Sequence, residues 1–214
     1  MMGKTHIAIG LLAATFVPTS GASGTVLHWP GFNSLFPFVV SLTAVVAGSL
    51  APDIDQPGSK ITQIAGPFGK NRIMAMLGGA MAIYLSGKTK GVIGSVELST
   101  ILILIGISLL IMAFIRHRGV THSLIGVAIA GLMVSAVENT GGYQQYIGIP
   151  IVMPFLIGYT SHLLADFVAG GIPPLYPFVE KRIKPPISIE TGSIFDGVIG
   201  VMAFLGAAFR MFGN

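Results

Sequence analysis

The chain has 214 residues, of which 52% are hydrophobic and 9% charged, and its mean hydropathy is +0.81; a soluble domain carries about 25% charged residues, so the composition excludes one and reads as an integral membrane protein. The formal charge of +4 does not point to nucleic acid, because no basic cluster with interleaved aromatics is present and surplus Lys and Arg in an apolar chain belong to cytoplasmic loops and lipid headgroups. Cysteine is absent, which excludes disulfides and thiolate metal ligands.

Hydropathy predicts helices near residues 5–18, 34–51, 73–86, 98–115, 122–138, 148–169 and 195–211. A span needs about 20 apolar residues, so the chain reads as an all-α, polytopic membrane helix bundle of about six or seven transmembrane helices, one domain over residues 1–214. The first helix has Lys4 before it and small residues after it, the outline of a secretory signal. Its apolar part is short and rich in Gly and Ala, and we read it as a retained helix. The 29 glycines and 13 prolines suit close helix packing with kinks and turns.

With the N-terminus in the cytoplasm, the connections around residues 52–72, 116–121 and 170–194 share its side. Lys4, Lys60, Lys70, Arg72, Arg116, Arg118, Lys181, Arg182 and Lys184 fall there, and only Lys88, Lys90 and Arg210 fall opposite. That asymmetry predicts a multi-pass membrane protein with its N-terminus in the cytoplasm and its C-terminus opposite.

Ionisable groups gather at helix ends on the same side. His6 opens the first helix; "APDID" ends the second with Asp53 and Asp55; His117 closes the fourth; His122 opens the fifth, with Thr121 as its candidate cap; "SHLLADF" ends the sixth with His162 and Asp166. His28 falls outside. A charge in hydrocarbon costs on the order of 2.5 to 3.5 kcal/mol on insertion scales unless paired, hydrated or metal-bound. Pro52 ends its helix and frees two carboxylates to aim from a turn, while His162 and Asp166, four apart, share a helix face. Mixed imidazole and carboxylate suits a divalent metal, zinc foremost and manganese or iron as alternatives, in one or two ions. Arg116 reads as an anchor at the helix end. "GPFGKNR" lacks the spacing of a phosphate loop, and the HExxH motif is absent.

"LAPDIDQPGS", "HRGVTHSL", "GYTSHLLADF" and "GGIPPLYP", in that order, resemble the YdjM-like family of bacterial and archaeal inner-membrane proteins, described as LexA-regulated, metal-dependent hydrolases. With His6 before them and "TGSIFD" after, the resemblance runs to about Asp196. It implies that His6, Asp53, Asp55, His117, His122, His162 and Asp166 occupy the family's metal positions and that Arg118 is its motif arginine. Gln56 stands where members often have His, and Asp196 where Glu is more frequent. The regulatory part of the description concerns gene control and implies no LexA partner.

The reaction these residues predict is hydrolysis of an ester, a phosphoester foremost, in a lipid or lipid-linked substrate by metal-activated water. Asp53 or Asp55 is the candidate general base, and Arg118 the candidate clamp on phosphate oxygens. Three other readings stay open. One is a zinc amidase or esterase acting on acyl lipids, with Thr121 or Ser161 as oxyanion donor; the second is a metal-ion transporter, which would normally hold its site near the midplane between repeated halves; the third is a non-catalytic membrane partner protein. The partners expected are membrane lipids.

Overall fold

Charge-free runs punctuated by Pro, Gly and hydroxyl caps fold as helices because an apolar segment in lipid must satisfy its backbone internally. The computed structural model describes residues 3–18, 25–28, 35–55, 67, 72–93, 96–114 and 119–213. Among them run eight α-helices: α1 (Gly3–Ala14), α2 (Leu35–Leu50), α3 (Arg72–Ser86), α4 (Leu98–Phe114), α5 (Leu124–Glu138), α6 (Gly141–Tyr146), α7 (Val152–Gly170) and α8 (Ile194–Phe212). Two 3-10 turns, Ala51–Asp55 and Val120–His122, respectively follow α2 and lead into α5, and β1 (Val92–Ile93) pairs antiparallel with β2 (Val96–Glu97).

All seven expected helices form, with shifted ends. The first stops at Ala14, because Thr15 and Phe16 turn their N–H groups back to Leu12 and Ala13 in a tightened final turn and Pro18 lies just beyond. The sixth expected helix begins at Val152 instead of 148. Gly148 takes a positive φ of 61° in the connection from α5, and α6 occupies part of that connection. Glu138 governs it: its Oε2 accepts from the N–H groups of Ile151 and Val152 at 2.7 and 2.9 Å, a carboxylate where the helix dipole favours one. Tyr143 donates to the Ile149 carbonyl at 2.7 Å. Burial first, and the Glu138 charge second, raise its phenol above the usual value, so it remains a donor. Charge-assisted bonds of this kind contribute about 1.5 to 3 kcal/mol. Glu138→Ala is therefore expected to lower the thermal unfolding midpoint of the detergent-solubilised protein while leaving the chemistry at the other end of the bundle intact.

Helix α1 runs antiparallel to both α2 and α7, which lie parallel to each other, and α8 lies parallel to α1. Helix α5 packs antiparallel on α7. Helices α3 and α4 form an antiparallel hairpin whose α4 touches the Ala51–Asp55 turn. Glycines set the closest crossing: a side chain at Gly48 would meet the Phe155 carbonyl, and one at Gly158 the Val45 carbonyl. Such small residues let membrane helices approach backbone to backbone.

Polarity is distributed for hydrocarbon surroundings. Ile73, Leu77 and Met81 on α3, and Phe195, Met202 and Phe209 on α8, are exposed, whereas His6, Ser49, His122, His162, Asp166 and Asp196 are buried. An exposed apolar surface this extensive is untypical of a water-soluble monomer. The segments Leu35–Asp53, Val152–Gly170 and Ile194–Phe212, 19 residues each, are long and apolar enough to cross a membrane; at 1.5 Å per residue each rises about 28 Å, close to the thickness of the hydrocarbon core. An apolar cluster of Leu11, Phe38, Val45, Ile157, Ala207 and Met211 fills the end of the bundle away from the polar groups.

Candidate metal centre

Helix directions bring the polar groups to one end. The N-terminal turns of α1 and α8, the C-terminal ends of α2 and α7 and the entry to α5 all meet there. On α7, Gly158, His162 and Asp166 recur every four residues and are buried, forming one stripe. Gly158 admits α2, and the next two positions supply an imidazole and a carboxylate. From α1, His6 lays its ring on that of His162, with centroids 3.7 Å apart and planes within 13°. Helix α2 ends at Leu50, Pro52 follows, and Asp53 is presented from the 3-10 turn.

His122 comes from the other 3-10 turn, held by neighbours on both sides. Tyr159 donates to the Thr121 carbonyl at 2.6 Å, and the Thr121 hydroxyl lies 3.0 Å from His122 Nδ1. The cap of α5 is Ser123, whose Oγ accepts from Gly126 N–H at 3.3 Å, and not Thr121 as the sequence led us to expect. This shift by two residues places His122 ahead of the helix instead of in its first turn.

Five side chains converge. His6 Nε2 lies 3.3 Å from Asp166 Oδ1; the other oxygen, Asp166 Oδ2, lies 3.2 Å from His122 Nε2 and 3.8 Å from His162 Nε2. Asp53 Oδ1 is 3.8 Å from His122 Nε2 and 3.6 Å from His162 Nε2. Charge-assisted N–H···O bonds are shorter, about 2.7 to 2.9 Å. Ligands held about 2.0 to 2.1 Å from a tetrahedral ion stand about 3.3 Å apart, so the observed spacings suit a shell of donors around a cation better than a set of direct ion pairs. Two sets, His6 with His162 and Asp166, and Asp53 with His122 and His162, have ligand atoms all within 4.8 Å of one another.

The chemistry of His162 supplies the sharpest test of fit. Its Nδ1 stands 2.7 Å from the Ser49 carbonyl, which can only accept, so Nδ1 carries a hydrogen, and in the neutral form of the ring the Nε2 lone pair turns into the cluster. A backbone carbonyl fixing the tautomer and orientation of an imidazole is the usual support behind a metal-ligating histidine. Ser49 stands in the last turn of α2, where carbonyls lack intrahelical partners, and Pro52 has no N–H to offer. Since only one His162 nitrogen faces the cluster, this ring serves a single ion, while the two oxygens of Asp166 face different imidazoles.

Of the residues expected at the site, His6, Asp53, His122, His162 and Asp166 are together. His117 and Arg118 lie outside the described residues, as do Gln56 and the side chain of Asp55. His28 is exposed and apart from the cluster. Asp196 is wholly buried and works as a helix cap: its Oδ2 accepts from Gly192 N–H at 2.8 Å while its own N–H donates to Ser193 Oγ at 3.2 Å, an arrangement close to a capping box. Sequence reasoning missed Ser49 and Tyr159. The first acts through its backbone and leaves no side-chain signature; the second hid in an apolar helix as an ordinary core aromatic.

Asp53 differs from the other four in exposure, 18% against 2% or less. It marks the side from which the centre is reached. The residues present can therefore hold a divalent cation in an otherwise apolar bundle. No curated protein and no solved structure matches this chain. Its sequence does match the family model described as YdjM inner membrane protein over residues 1–212. By that match, which takes in every residue of the converging cluster, the chain belongs to the YdjM inner membrane protein family.

Proposed function

We propose that this chain is a multi-pass inner-membrane hydrolase that uses a divalent metal, zinc foremost, to cleave an ester or phosphoester of a lipid or lipid-linked substrate at the cytoplasmic headgroup level. The observation that carries the reading is the convergence of Asp53 with the buried His6, His122, His162 and Asp166, with His162 Nε2 aimed inward by the Ser49 carbonyl on Nδ1. Uncompensated polar groups at such a depth are costly, and ligation offsets that cost. The excess of Lys and Arg on the cluster's side of the membrane supports a cytoplasmic orientation.

A bound divalent ion supplies a water of lowered pKa and polarises the phosphoryl or carbonyl oxygen. Within the chain, His6, His162 and Asp166 would hold the ion, with His122 beside them, 3.2 Å from Asp166 Oδ2. Asp53, reachable from outside, takes the proton from the attacking water when its carboxylate is not occupied as a ligand. Arg118 serves the phosphoryl oxygens as a planar, bidentate donor. An acyl substrate would require an oxyanion donor instead; the Ser161 hydroxyl is turned back to the Gly158 carbonyl at 2.8 Å and the Thr121 hydroxyl lies 3.0 Å from His122 Nδ1, so both candidate donors are engaged within the chain, which favours the phosphoester.

The test is turnover by detergent-purified protein on phosphatidate and on an amide lipid of matched chains. Phosphate release is expected from the first, falling by at least about 100-fold on chelation and returning with Zn²⁺ or Mn²⁺. Cleavage of the amide lipid alone moves the assignment to acyl chemistry. Protein that takes up no metal and turns over neither lipid overturns the proposal, and metal movement across vesicles without turnover identifies a transporter.

A further inference from the structure

We infer that the crevice between α4, α5 and α7 seats one acyl chain of the lipid whose headgroup ester reaches the metal centre, an inference that rests on the hydrolase reading above. Helix α4 packs on α3, and α5 on α7, leaving a cavity of about 470 Å³ between them. Leu104, Ile107, Met133 and Phe155 form its walls, and the small residues Gly126 and Ala130 keep it open. Among the described residues its lining carries no charged side chain; the hydroxyls there are Ser108, Thr121 and Tyr159, of which Tyr159 is bonded to the Thr121 carbonyl. A polar or charged ligand would find little to bond there, whereas an alkyl chain needs nothing more.

The dimensions choose among apolar occupants. The lining runs along α5 from Gly126 to Val137, a rise of about 16 Å, or one leaflet of a hydrocarbon core about 30 Å thick. That run matches the depth one acyl chain of a lipid reaches in the same leaflet. A neighbouring cavity of about 400 Å³ shares Leu104, Ile107 and Met133 and continues the path between α4 and α5.

The crevice also ends in the right place. Ala51 and Thr121 belong to its lining. Asp53 follows Ala51 by two residues of 3-10 turn, about 4 Å of rise, and His122 follows Thr121 directly. A chain lying along α5 therefore delivers the first polar atoms of its lipid beside Asp53, the ligand candidate with access from outside.

The test uses the full-length protein in phosphatidylcholine vesicles doped with phosphatidate bearing a diazirine near the end of one acyl chain. Photolabel is expected to concentrate about tenfold on peptides covering residues 100–108 and 126–137 over those from the lipid-facing α3 and α8. Ala130→Phe, which fills the crevice, and Ser108→Leu, which narrows it from the α4 side, each lower that label about tenfold. Met202→Phe on the exposed face of α8 leaves it unchanged, and all three variants retain the wild-type metal content. Label spread evenly over the outer helices, or undiminished in both crevice variants, overturns the inference. Because labelling needs no turnover, protein that binds no metal yet labels in the crevice sinks the hydrolase reading while leaving the acyl seat standing.

Discussion

His162→Ala is expected to emerge from purification without the stoichiometric metal of the wild-type protein, and with hydrolysis reduced by at least about 100-fold, since loss of an orienting partner alone costs 10- to 100-fold in affinity or activity at metal sites. The expectation follows from the position of this side chain. It belongs to both candidate ligand sets, stacks on His6 and meets His122 edge-on at 5.4 Å between centroids. Removing it deletes one donor and also the surface that holds a second. His28→Ala, at an exposed position, is the matched control and should bind metal as the parent does. Elemental analysis of both variants in detergent, alongside circular dichroism to establish that helices persist, separates loss of a ligand from loss of fold. A well-folded His162→Ala protein carrying full metal removes the basis for the centre.

The fold was legible because its determinants are local. Runs without charge must be helices in lipid, and Pro18 and Pro52 stop α1 and α2 by rules that act between neighbours. The shared end of the bundle at which His6, Asp53, His122, His162 and Asp166 meet was legible too, since alternating helix directions follow once the helices are counted. Their pairings were not. Which Asp166 oxygen meets which imidazole depends on the rotation of α1, α5 and α7 about their axes. Small residues on those helices, Gly10 against Ser49 and Gly131 against Leu156, set that rotation through contacts between segments far apart in sequence. Thr121 and Ser123 both qualify as caps by residue type, and the long-range bonds of Tyr159 to the Thr121 carbonyl and of Leu124 N–H to the Pro174 carbonyl pin that stretch so that Ser123 takes the role. The apolar crevice escaped the sequence for the opposite reason: it is space left between α4, α5 and α7, and apolar residues lining a void read the same as apolar residues filling a core.

Gly158→Ala tests whether the centre depends on how closely α2 and α7 approach. In an open helical position, replacing glycine by alanine stabilises by about 0.4 to 1 kcal/mol, and Gly197 on α8, where a Cβ would meet nothing within 4 Å, should gain that amount. At Gly158 the added carbon meets the Val45 carbonyl, with Ser49 N at 2.8 Å. Both are backbone atoms of a packed helix and cannot swing aside. Overpacking of this kind costs about 1 to 3 kcal/mol, so the clash outweighs the helix gain and α2 must shift away. One turn further along α7, that shift stretches the 2.7 Å bond from His162 Nδ1 to Ser49 and withdraws Asp53, carried on the turn that follows α2. Gly158→Ala should therefore lower the unfolding midpoint and weaken metal binding together, although it touches no ligand, and Gly48→Ala, facing the Phe155 carbonyl from the other helix, should do the same. Gly197→Ala raises the midpoint and leaves metal affinity unchanged. Equal metal affinity in the Gly158 and Gly197 variants would mean that the cluster is held in place by something other than the α2–α7 contact.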